Sequence, residues 1–490
     1  MESKGLLRSF PRVFWIANVM ELFERAAYYG LNSVLAIYLT NSIKSGGLGF
    51  SEMSVGFLQS LIYALTYVVP IIGGALADRY GYRRMLLIAF SLLSAGYFIS
   101  GHMSAYGAVF GSLLIMATGA GLFKPIISGT IARTTTEKNS GFGFGIYYWM
   151  INLGAFLAPL FVSYLKGFSW GYVFTASSIY CALMLIPTIF LYRDPPRPEN
   201  TKTLREVLTG MTMVLGDTRF MLMIFIYSGF WILYFQNFGS VLWFLRDFID
   251  PTPFNQLFQS FGFPLKFDAE HVTVINAGTI IILQVFISRF VKNFKPILTM
   301  VGGFFIGVIG FVFLAFATNI WIFVAGIVVF SIGEMTAHPK YFSYVGLVAP
   351  SDRKAVYMGY AFLYGVVGTL VGSNLGAVLY EKILKPLTGI SGIESDIRLF
   401  WLIFAGLGII AMSGLLLYDR YLSIETPRAT LISKRIMLGV YTLLIILGAY
   451  FLYSSTLTGR NIEYKTFVQS FIMLIIGIGG ILITMMKRPY

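Results

Sequence analysis

Apolar runs of about 20 residues recur along the whole chain, and short polar segments separate them. A helix that crosses a bilayer core about 30 Å thick needs about 20 mainly apolar residues. The pattern therefore predicts an all-α polytopic membrane protein with 14 spans. The predicted spans are residues 12–40, 51–77, 83–101, 106–132, 142–165, 168–192, 219–245, 270–290, 295–318, 320–347, 355–381, 398–418, 434–454 and 466–486.

A polar, proline-rich segment at residues 193–218 divides the predicted spans into six before it and eight after it. We predict an N-terminal six-helix bundle at 1–192, a cytoplasmic linker at 193–218, a C-terminal six-helix bundle at 219–420 and an extra hairpin of two spans at 421–490. Six spans, a linker and six spans are the layout of transporters whose halves move around a site at the membrane midplane.

Composition and charge agree with this interpretation. Only 12% of the residues are charged and 57% are hydrophobic, whereas soluble proteins carry about 25% charged residues. The net charge of +14 comes mainly from loops on one side, so the positive-inside rule predicts cytoplasmic termini and no nucleic-acid partner. Cys181 is the single cysteine, which excludes a cysteine metal cluster. We expect a plasma (inner) membrane protein, monomeric in the lipid bilayer.

The first span contains charges that an ordinary membrane helix lacks: Glu21, Glu24 and Arg25. A charge at membrane depth costs from a few to more than ten kcal/mol, so such groups face a cavity and pair with one another. Helical spacing places Glu21, Arg25, Tyr28 and Asn32 on one face of the helix. We predict that this face is one wall of a transport pathway.

Lys124, in the fourth predicted span, is a second cation at membrane depth, and Glu21 and Glu24 are its candidate partners. Together with Arg25 these residues make two acids and two bases. Protonation of one carboxylate would release one cation and change the pairing. The alternative is a buried ionic cluster that only fixes helix packing, although such clusters are a poor source of stability.

Several of these segments resemble known family motifs. Residues 74–84 (GALADRYGYRR) resemble the cytoplasmic loop signature of the major facilitator superfamily. Residues 21–30 (ELFERAAYYG), 119–125 (GAGLFKP) and 147–159 (YYWMINLGAFLAP) resemble motifs of its proton-coupled oligopeptide transporter (POT) family. Elements of the C-terminal half at 230–240, 274–277 and 331–335 also resemble that family. The resemblance covers residues 12–418 and implies a major facilitator fold, to which the hairpin is an addition.

The resemblance and the charge pattern together give a set of candidate site residues. The proton-coupling residues are expected to be Glu21, Glu24, Arg25 and Lys124. The substrate-binding residues are expected to be Tyr28, Tyr29, Asn32, Lys124, Asn152, Trp231, Asn276 and Glu334. A conformational latch is expected at Asp78, Arg79, Arg83 and Arg84, with Arg83 and Arg84 at the lipid headgroup level. His338, one turn after Glu334, either shares a proton with it or packs at a kink before Pro339.

Two positions depart from the family pattern. Asn32 stands where the family commonly has an arginine that holds the peptide carboxylate, and Phe235 stands where proton-coupled members commonly have an acid. The function expected from the resemblance is proton-coupled symport of di-/tripeptides or peptide-like small molecules, with no cofactor besides the proton. The alternative is a facilitator or exporter of a non-peptide solute with weak or no proton coupling. No convergent catalytic set indicates an enzyme, and a receptor would bind substrate without exchanging it.

Overall fold

The computed structural model describes residues 9–136, 139–195, 204–262, 266–350, 354–457 and 464–486, and within these ranges it contains helices and no strands. The α-helices are α1 (Arg12–Asn32), α2 (Leu35–Thr40), α3 (Glu52–Tyr80), α4 (Tyr82–His102), α5 (Tyr106–Arg133), α6 (Ser140–Lys166), α7 (Trp170–Leu183), α8 (Leu185–Phe190), α9 (Leu204–Leu215), α10 (Thr218–Tyr234), α11 (Ser240–Phe248), α12 (Thr252–Ser260), α13 (Glu270–Phe290), α14 (Pro296–Ala315), α15 (Ile320–Val348), α16 (Lys354–Tyr360), α17 (Leu363–Leu379), α18 (Glu394–Tyr421), α19 (Pro427–Leu457) and α20 (Tyr464–Met485). The linker residues 196–203 and the predicted cytoplasmic ends 1–8 and 487–490 lie outside the described residues.

The predicted all-α membrane architecture is confirmed. Thirteen segments of the described chain are long and apolar enough to cross a membrane. The remaining predicted span corresponds to α1, which has 21 residues and packs against α6 and α7. Helix α1 is long enough to cross a membrane. It is too charged to be recognised as a span by composition alone, because Glu21, Glu24 and Arg25 lie near its centre. We call α1–α8 the N-terminal bundle and α10–α18 the C-terminal bundle; the exact residue limits of the four predicted segments stay a prediction.

The predicted span at 219–245 is not one continuous helix. It consists of α10, a 3-10 turn at Phe235–Phe238 and α11. The break releases backbone groups that other helices bind: Phe238 O accepts a hydrogen bond from Gln59 Nε2 at 2.8 Å. Irregular backbone at membrane depth is tolerated where neighbouring helices satisfy it in this way.

The two bundles meet along two helix pairs, α3 with α17 and α6 with α13. Gly56 of α3 shows how closely the first pair approaches, because a Cβ atom at this position would lie 2.6 Å from Ser373 O of α17. A larger residue would push these two helices apart. The two seams therefore hold the bundles together around the space between them.

The extra hairpin forms as predicted, with α19 and α20 packed against each other. Both helices are mostly exposed. Only 17% of the 18 most apolar consecutive residues of α19 and 11% of those of α20 are buried, as a lipid-facing hairpin requires. The hairpin also has contacts with the bundles that the sequence did not reveal. Lys465 of α20 reaches α3, and Gln469 of α20 reaches α17.

Candidate functional site

A cavity of about 850 Å³ lies between the two bundles. Helices α1, α3, α5 and α6 form one wall. Helices α10, α13 and α15 form the other, together with the end of α16 and the start of α17. Ionisable side chains face it from both sides: Glu21, Arg25 and Lys124 from the N-terminal bundle, and Glu334 and His338 from the C-terminal bundle. The predicted convergence of charge on an internal space is therefore present.

Arg25 binds both glutamates of α1. Its Nε donates a hydrogen bond to Glu24 Oε2 at 2.5 Å and lies 3.4 Å from Glu21 Oε1. The glutamate side chains are at most 2% exposed and that of Arg25 is 6% exposed. Gly154 of α6 allows this burial, since a Cβ atom there would lie 3.0 Å from Arg25 Cβ. The spacing predicted from the sequence thus places all three charges in one buried cluster.

Lys124 faces the cavity, and no acid of the described residues forms an ion pair with it. Among the described residues no acidic oxygen lies within 4.0 Å of Lys124 Nζ, so the direct pair with Glu21 or Glu24 predicted from the sequence is absent in this conformation. The ammonium group instead lies 4.9 Å from the ring centroid of Tyr67, a cation–π contact. Lys124 can therefore bind an anion that enters the cavity.

On the opposite wall, Asn276 holds the carboxylate of Glu334. Asn276 Nδ2 donates to Glu334 Oε2 at 3.0 Å and to Ser331 Oγ at 2.9 Å. His338 does not pair with Glu334; its Nδ1 lies 3.1 Å from the hydroxyl of Tyr227. Within the described chain no cation lies within 4.0 Å of Glu334, so an amino group in the cavity would be its counter-charge.

Asn32 does not line the cavity in this conformation, so its role in substrate binding stays a prediction. Its side chain is fully buried. Nδ2 donates to Tyr28 O at 2.7 Å, and Oδ1 accepts from the Tyr63 hydroxyl at 2.8 Å. Gln59 Nε2 in turn donates to the Tyr63 hydroxyl at 3.2 Å and to Phe238 O at 2.8 Å. Asn32 is thus one end of a hydrogen-bonded chain between the two bundles.

The other candidates divide between the cavity and the packed interior. Those that line the cavity are Glu21, Arg25, Tyr29, Lys124, Asn152, Trp231, Asn276 and Glu334. Those that do not are Glu24, Tyr28 and Asn32. Prediction did not single out Tyr147, Tyr234 and Tyr364, which also line the cavity. Helical spacing could have identified Tyr234, because it lies three residues after Trp231 and shares its face.

Two of the predicted latch residues, Asp78 and Arg83, are held within the N-terminal bundle. Arg133 Nη2 of α5 donates to Asp78 Oδ1 at 2.6 Å. Arg83 Nε donates to Thr188 O of α8 at 3.1 Å, and its backbone nitrogen donates to Asp194 Oδ1 at 2.7 Å. No hydrogen bond or ion pair of Asp78 or Arg83 within the described residues crosses to the C-terminal bundle, so a latch role stays a prediction.

Ion pairs join the bundles at the end of the cavity predicted to face outside. Lys166 Nζ lies 2.5 Å from Asp268 Oδ2 and 2.6 Å from Glu270 Oε2. Arg246 and Lys385 both pair with Glu52, the former at 3.5 Å. Burial raises the pKa of Asp268, but the adjacent Lys166 outweighs this and holds that pKa below its usual value. These pairs close this end in the present conformation.

The opposite end of the cavity is lined by residues near the predicted cytoplasmic ends of α13 and α15, including Ser288 and Phe342. We find no inter-bundle ion pair among the described residues at this end. The cavity is therefore closed toward the predicted outside and extends toward the predicted cytoplasm.

Two curated proteins are similar to parts of the chain. A di-/tripeptide transporter of Lactococcus lactis subsp. lactis (strain IL1403) is 30% identical over 230 residues, or 44% of each protein. A dipeptide and tripeptide permease A of Klebsiella pneumoniae (strain 342) is 34% identical over 188 residues, covering 37% of this chain and 36% of the permease. The chain thus aligns with less than half the length of these relatives.

A solved structure is similar over most of the chain. The crystal structure of a peptide transporter POT in complex with sulfate superimposes with a TM-score of 0.68 at 20% identity, covering 84% of this chain and 94% of that one. At this identity the similarity shows the fold, and it confirms the predicted major facilitator fold. The sequence profile of the Major Facilitator Superfamily matches residues 16–373, and the chain belongs to this superfamily.

Proposed function

We propose that this protein is a secondary active transporter that carries di-/tripeptides or peptide-like small molecules together with protons by alternating access. The observation that carries the proposal is the cavity between the bundles, with Lys124 and Arg25 on one wall and Glu334 on the other. The names of the two curated relatives favour peptides over a non-peptide solute. We place it in the plasma (inner) membrane as a monomer, with both termini in the cytoplasm and no cofactor besides the proton.

A zwitterion fits the distribution of charge in the cavity. Its carboxylate would meet Lys124, which has no acidic partner in the described chain, and its amino group would meet Glu334. Charges at membrane depth are stable when they are paired, so a substrate with both charges satisfies both walls at once. The cavity volume of about 850 Å³ lies within the usual range for small-molecule sites, about 300–1,000 Å³.

Proton coupling would follow from the charge balance of the α1 cluster. Glu21, Glu24, Arg25 and Lys124 have a formal charge of zero when all four are ionised. A proton on Glu21, which lines the cavity, would weaken its pairing with Arg25 and give this wall one positive charge for the substrate carboxylate. Proton and substrate would then favour each other's binding, which is the reciprocal coupling that symport needs.

Alternating access would exchange the present conformation for one that is open to the outside. Lys166 would release Asp268 and Glu270, and Glu52 would release Arg246 and Lys385. The predicted cytoplasmic ends would close in exchange. One proton moving through 100 mV provides about 2.3 kcal/mol, enough to concentrate a substrate tens-fold.

The test is uptake of a labelled dipeptide into liposomes that contain the purified protein. We expect an inward proton gradient to drive accumulation in the wild type, and Glu21→Gln to abolish the effect of the gradient. Glu21→Gln should still exchange dipeptide in counterflow without a gradient, which shows that it is folded. Glu394→Gln, which removes an exposed carboxylate of α18, is the matched control and should accumulate dipeptide normally. Wild-type uptake that does not change with the proton gradient would refute proton coupling.

A further inference from the structure

A second cavity, of about 720 Å³, opens at the predicted cytoplasmic ends of α3 and α4, separate from the central one. Four arginines line it (Arg79, Arg83, Arg84 and Arg193), with Asp194 as the single acid among its lining residues. The formal charge of the lining is therefore +3. The cavity lies outside the central one, and the predicted latch does not include Arg193, so this concentration of guanidinium groups points to a further role.

The arginines of this cleft have two different roles. Arg83 shapes it, because its hydrogen bonds to Thr188 O and Asp194 Oδ1 tie the start of α4 to the end of α8. Arg84 and Arg193 are exposed and form no ion pair within 4.0 Å with an acid of the described chain. Arg79 is also exposed, and its guanidinium group lies 5.5 Å from the ring centroid of Tyr80. Three guanidinium groups thus line the cleft without an ion pair to an acid of the described residues.

Large exposed apolar side chains lie next to the cleft residues along α4 and at the end of α8. Ile88 follows Arg84 by one turn of α4 and is 47% exposed. Ile189, Phe190 and Leu191, at the end of α8 just before the cleft residue Arg193, are 43%, 76% and 60% exposed. In a bilayer these side chains contact acyl chains. With the predicted orientation, the cleft would lie where the charged headgroup level meets the hydrocarbon.

We propose that this cleft binds the headgroup of an anionic phospholipid of the cytoplasmic leaflet. The phosphate oxygens would bind Arg84 and Arg193, whose planar guanidinium groups suit phosphate, while the acyl chains lie along Ile88 and Phe190. Basic pockets between membrane helices at the cytoplasmic side are a known form of site for anionic lipid headgroups. The assignment rests on the predicted orientation, and it is independent of the transported substrate.

Free phosphate shares the chemistry that the arginines recognise, but it would not use the apolar border. We therefore compare three probes on the purified protein in detergent: phosphatidylglycerol, phosphatidylcholine and inorganic phosphate. Thermal unfolding measures stabilisation, and native mass spectrometry counts retained lipids. We expect phosphatidylglycerol to raise the Tm more than the other two probes do, with one retained lipid per protein.

The test variant is Arg84→Gln/Arg193→Gln. We expect its phosphatidylglycerol-dependent Tm shift to fall to less than half that of the wild type and its retained lipid to be lost. The matched control is Arg289→Gln/Lys292→Gln, which removes two exposed basic residues near the predicted cytoplasmic end of α13 and should keep both signals. Equal shifts with phosphatidylglycerol and phosphatidylcholine, equal losses in both variants, or a full shift with inorganic phosphate alone would each overturn the proposal.

Discussion

Asn32 and Asn152 are both amides in the centre of the N-terminal bundle, but their surroundings differ. Asn152 lines the cavity, and its Nδ2 donates to Tyr148 O at 2.8 Å. Asn32 is fully buried, and both ends of its amide are used by Tyr28 O and the Tyr63 hydroxyl. At the residue scale, therefore, Asn32 contributes to the connection between helices, whereas Asn152 is available to a substrate.

This difference gives a prediction for Asn32→Ala. The substitution leaves the buried hydroxyl of Tyr63 without its acceptor, and an unsatisfied buried polar group costs about 1–3 kcal/mol. We expect a lower Tm and an unchanged KM for dipeptide uptake. Asn152→Ala should show the opposite, with a raised KM and a small change in Tm. A raised KM with an unchanged Tm in Asn32→Ala would mean that Asn32 contacts substrate in another conformation.

The partners of individual side chains were the least predictable part of the site. The helical spacing of Glu21 and Arg25 within one helix predicted their contact, and it is present. Lys124 is on another helix. Opposite charge alone led to the prediction that it pairs with a glutamate, but in the structure it contacts the ring of Tyr67. Contacts within a helix follow from its period of about 3.6 residues. Contacts between helices depend on the rotation and depth of each helix, which do not follow from the spacing of residues along the chain.

At the scale of elements, hydropathy predicts the spans because each needs about 20 apolar residues whatever its neighbours are. The break at Phe235–Phe238 escaped prediction, since every residue around it is compatible with a membrane helix. Its backbone is stabilised from outside the segment, as in the bond from Gln59 to Phe238 O. The predicted architecture is therefore correct where it depends on local composition and incomplete where tertiary hydrogen bonds decide the backbone.

The seam between α6 and α13 gives a prediction about opening. Lys166 holds Asp268 and Glu270 together, so Lys166→Gln leaves two adjacent acids without a cation and weakens this seam. We expect the outer end to open more often. A cysteine introduced by Thr273→Cys, at a cavity-lining position of α13, in a Cys181→Ser background should then react faster with an impermeant thiol reagent. Lys44→Gln, which changes an exposed lysine in another predicted outer segment, should leave the rate unchanged.

Acidification should also weaken the seam between α6 and α13 and favour opening of the outer end. The pKa of Asp268 is lowered, so its pairing with Lys166 persists at neutral pH and is lost as the pH falls through that lowered pKa, below the usual aspartate value of about 3.9. The side chain of Asp268 is 47% exposed, so solvent screens its share of the interaction.

Labelling that is as slow in Lys166→Gln as in the wild type, or equally fast in Lys44→Gln, would contradict a role of this seam in opening.

At the scale of the whole molecule, the hairpin lies across the seam between the two bundles. Lys465 Nζ donates to Ser54 Oγ of α3 at 2.6 Å, and the ring centroids of Tyr464 and Phe57 are 6.0 Å apart. Gln469 Nε2 donates to Asn374 Oδ1 of α17 at 2.8 Å. Helix α19 also packs on α10 of the C-terminal bundle. The hairpin therefore has more contacts with the C-terminal bundle and reaches the N-terminal bundle at the end predicted to face outside.

This asymmetry predicts different effects for two crosslinks between introduced cysteines in a Cys181→Ser background. The contacts run through the long side chains of Lys465 and Gln469, and a disulfide needs Cα atoms within about 7 Å, so the crosslinks are formed with a short bifunctional thiol reagent that a reductant cleaves. If the outer end opens by separation of α3 from α17, the hairpin moves with α17 and must leave α3. Crosslinking of Ser54→Cys/Lys465→Cys should then stop dipeptide uptake, and a reductant should restore it. Crosslinking of Asn374→Cys/Gln469→Cys, which joins the hairpin to the bundle that carries it, should leave most uptake intact. Normal uptake with the first crosslink formed would mean that α3 and the hairpin move together, and the hairpin would then belong to the N-terminal bundle in the transport cycle.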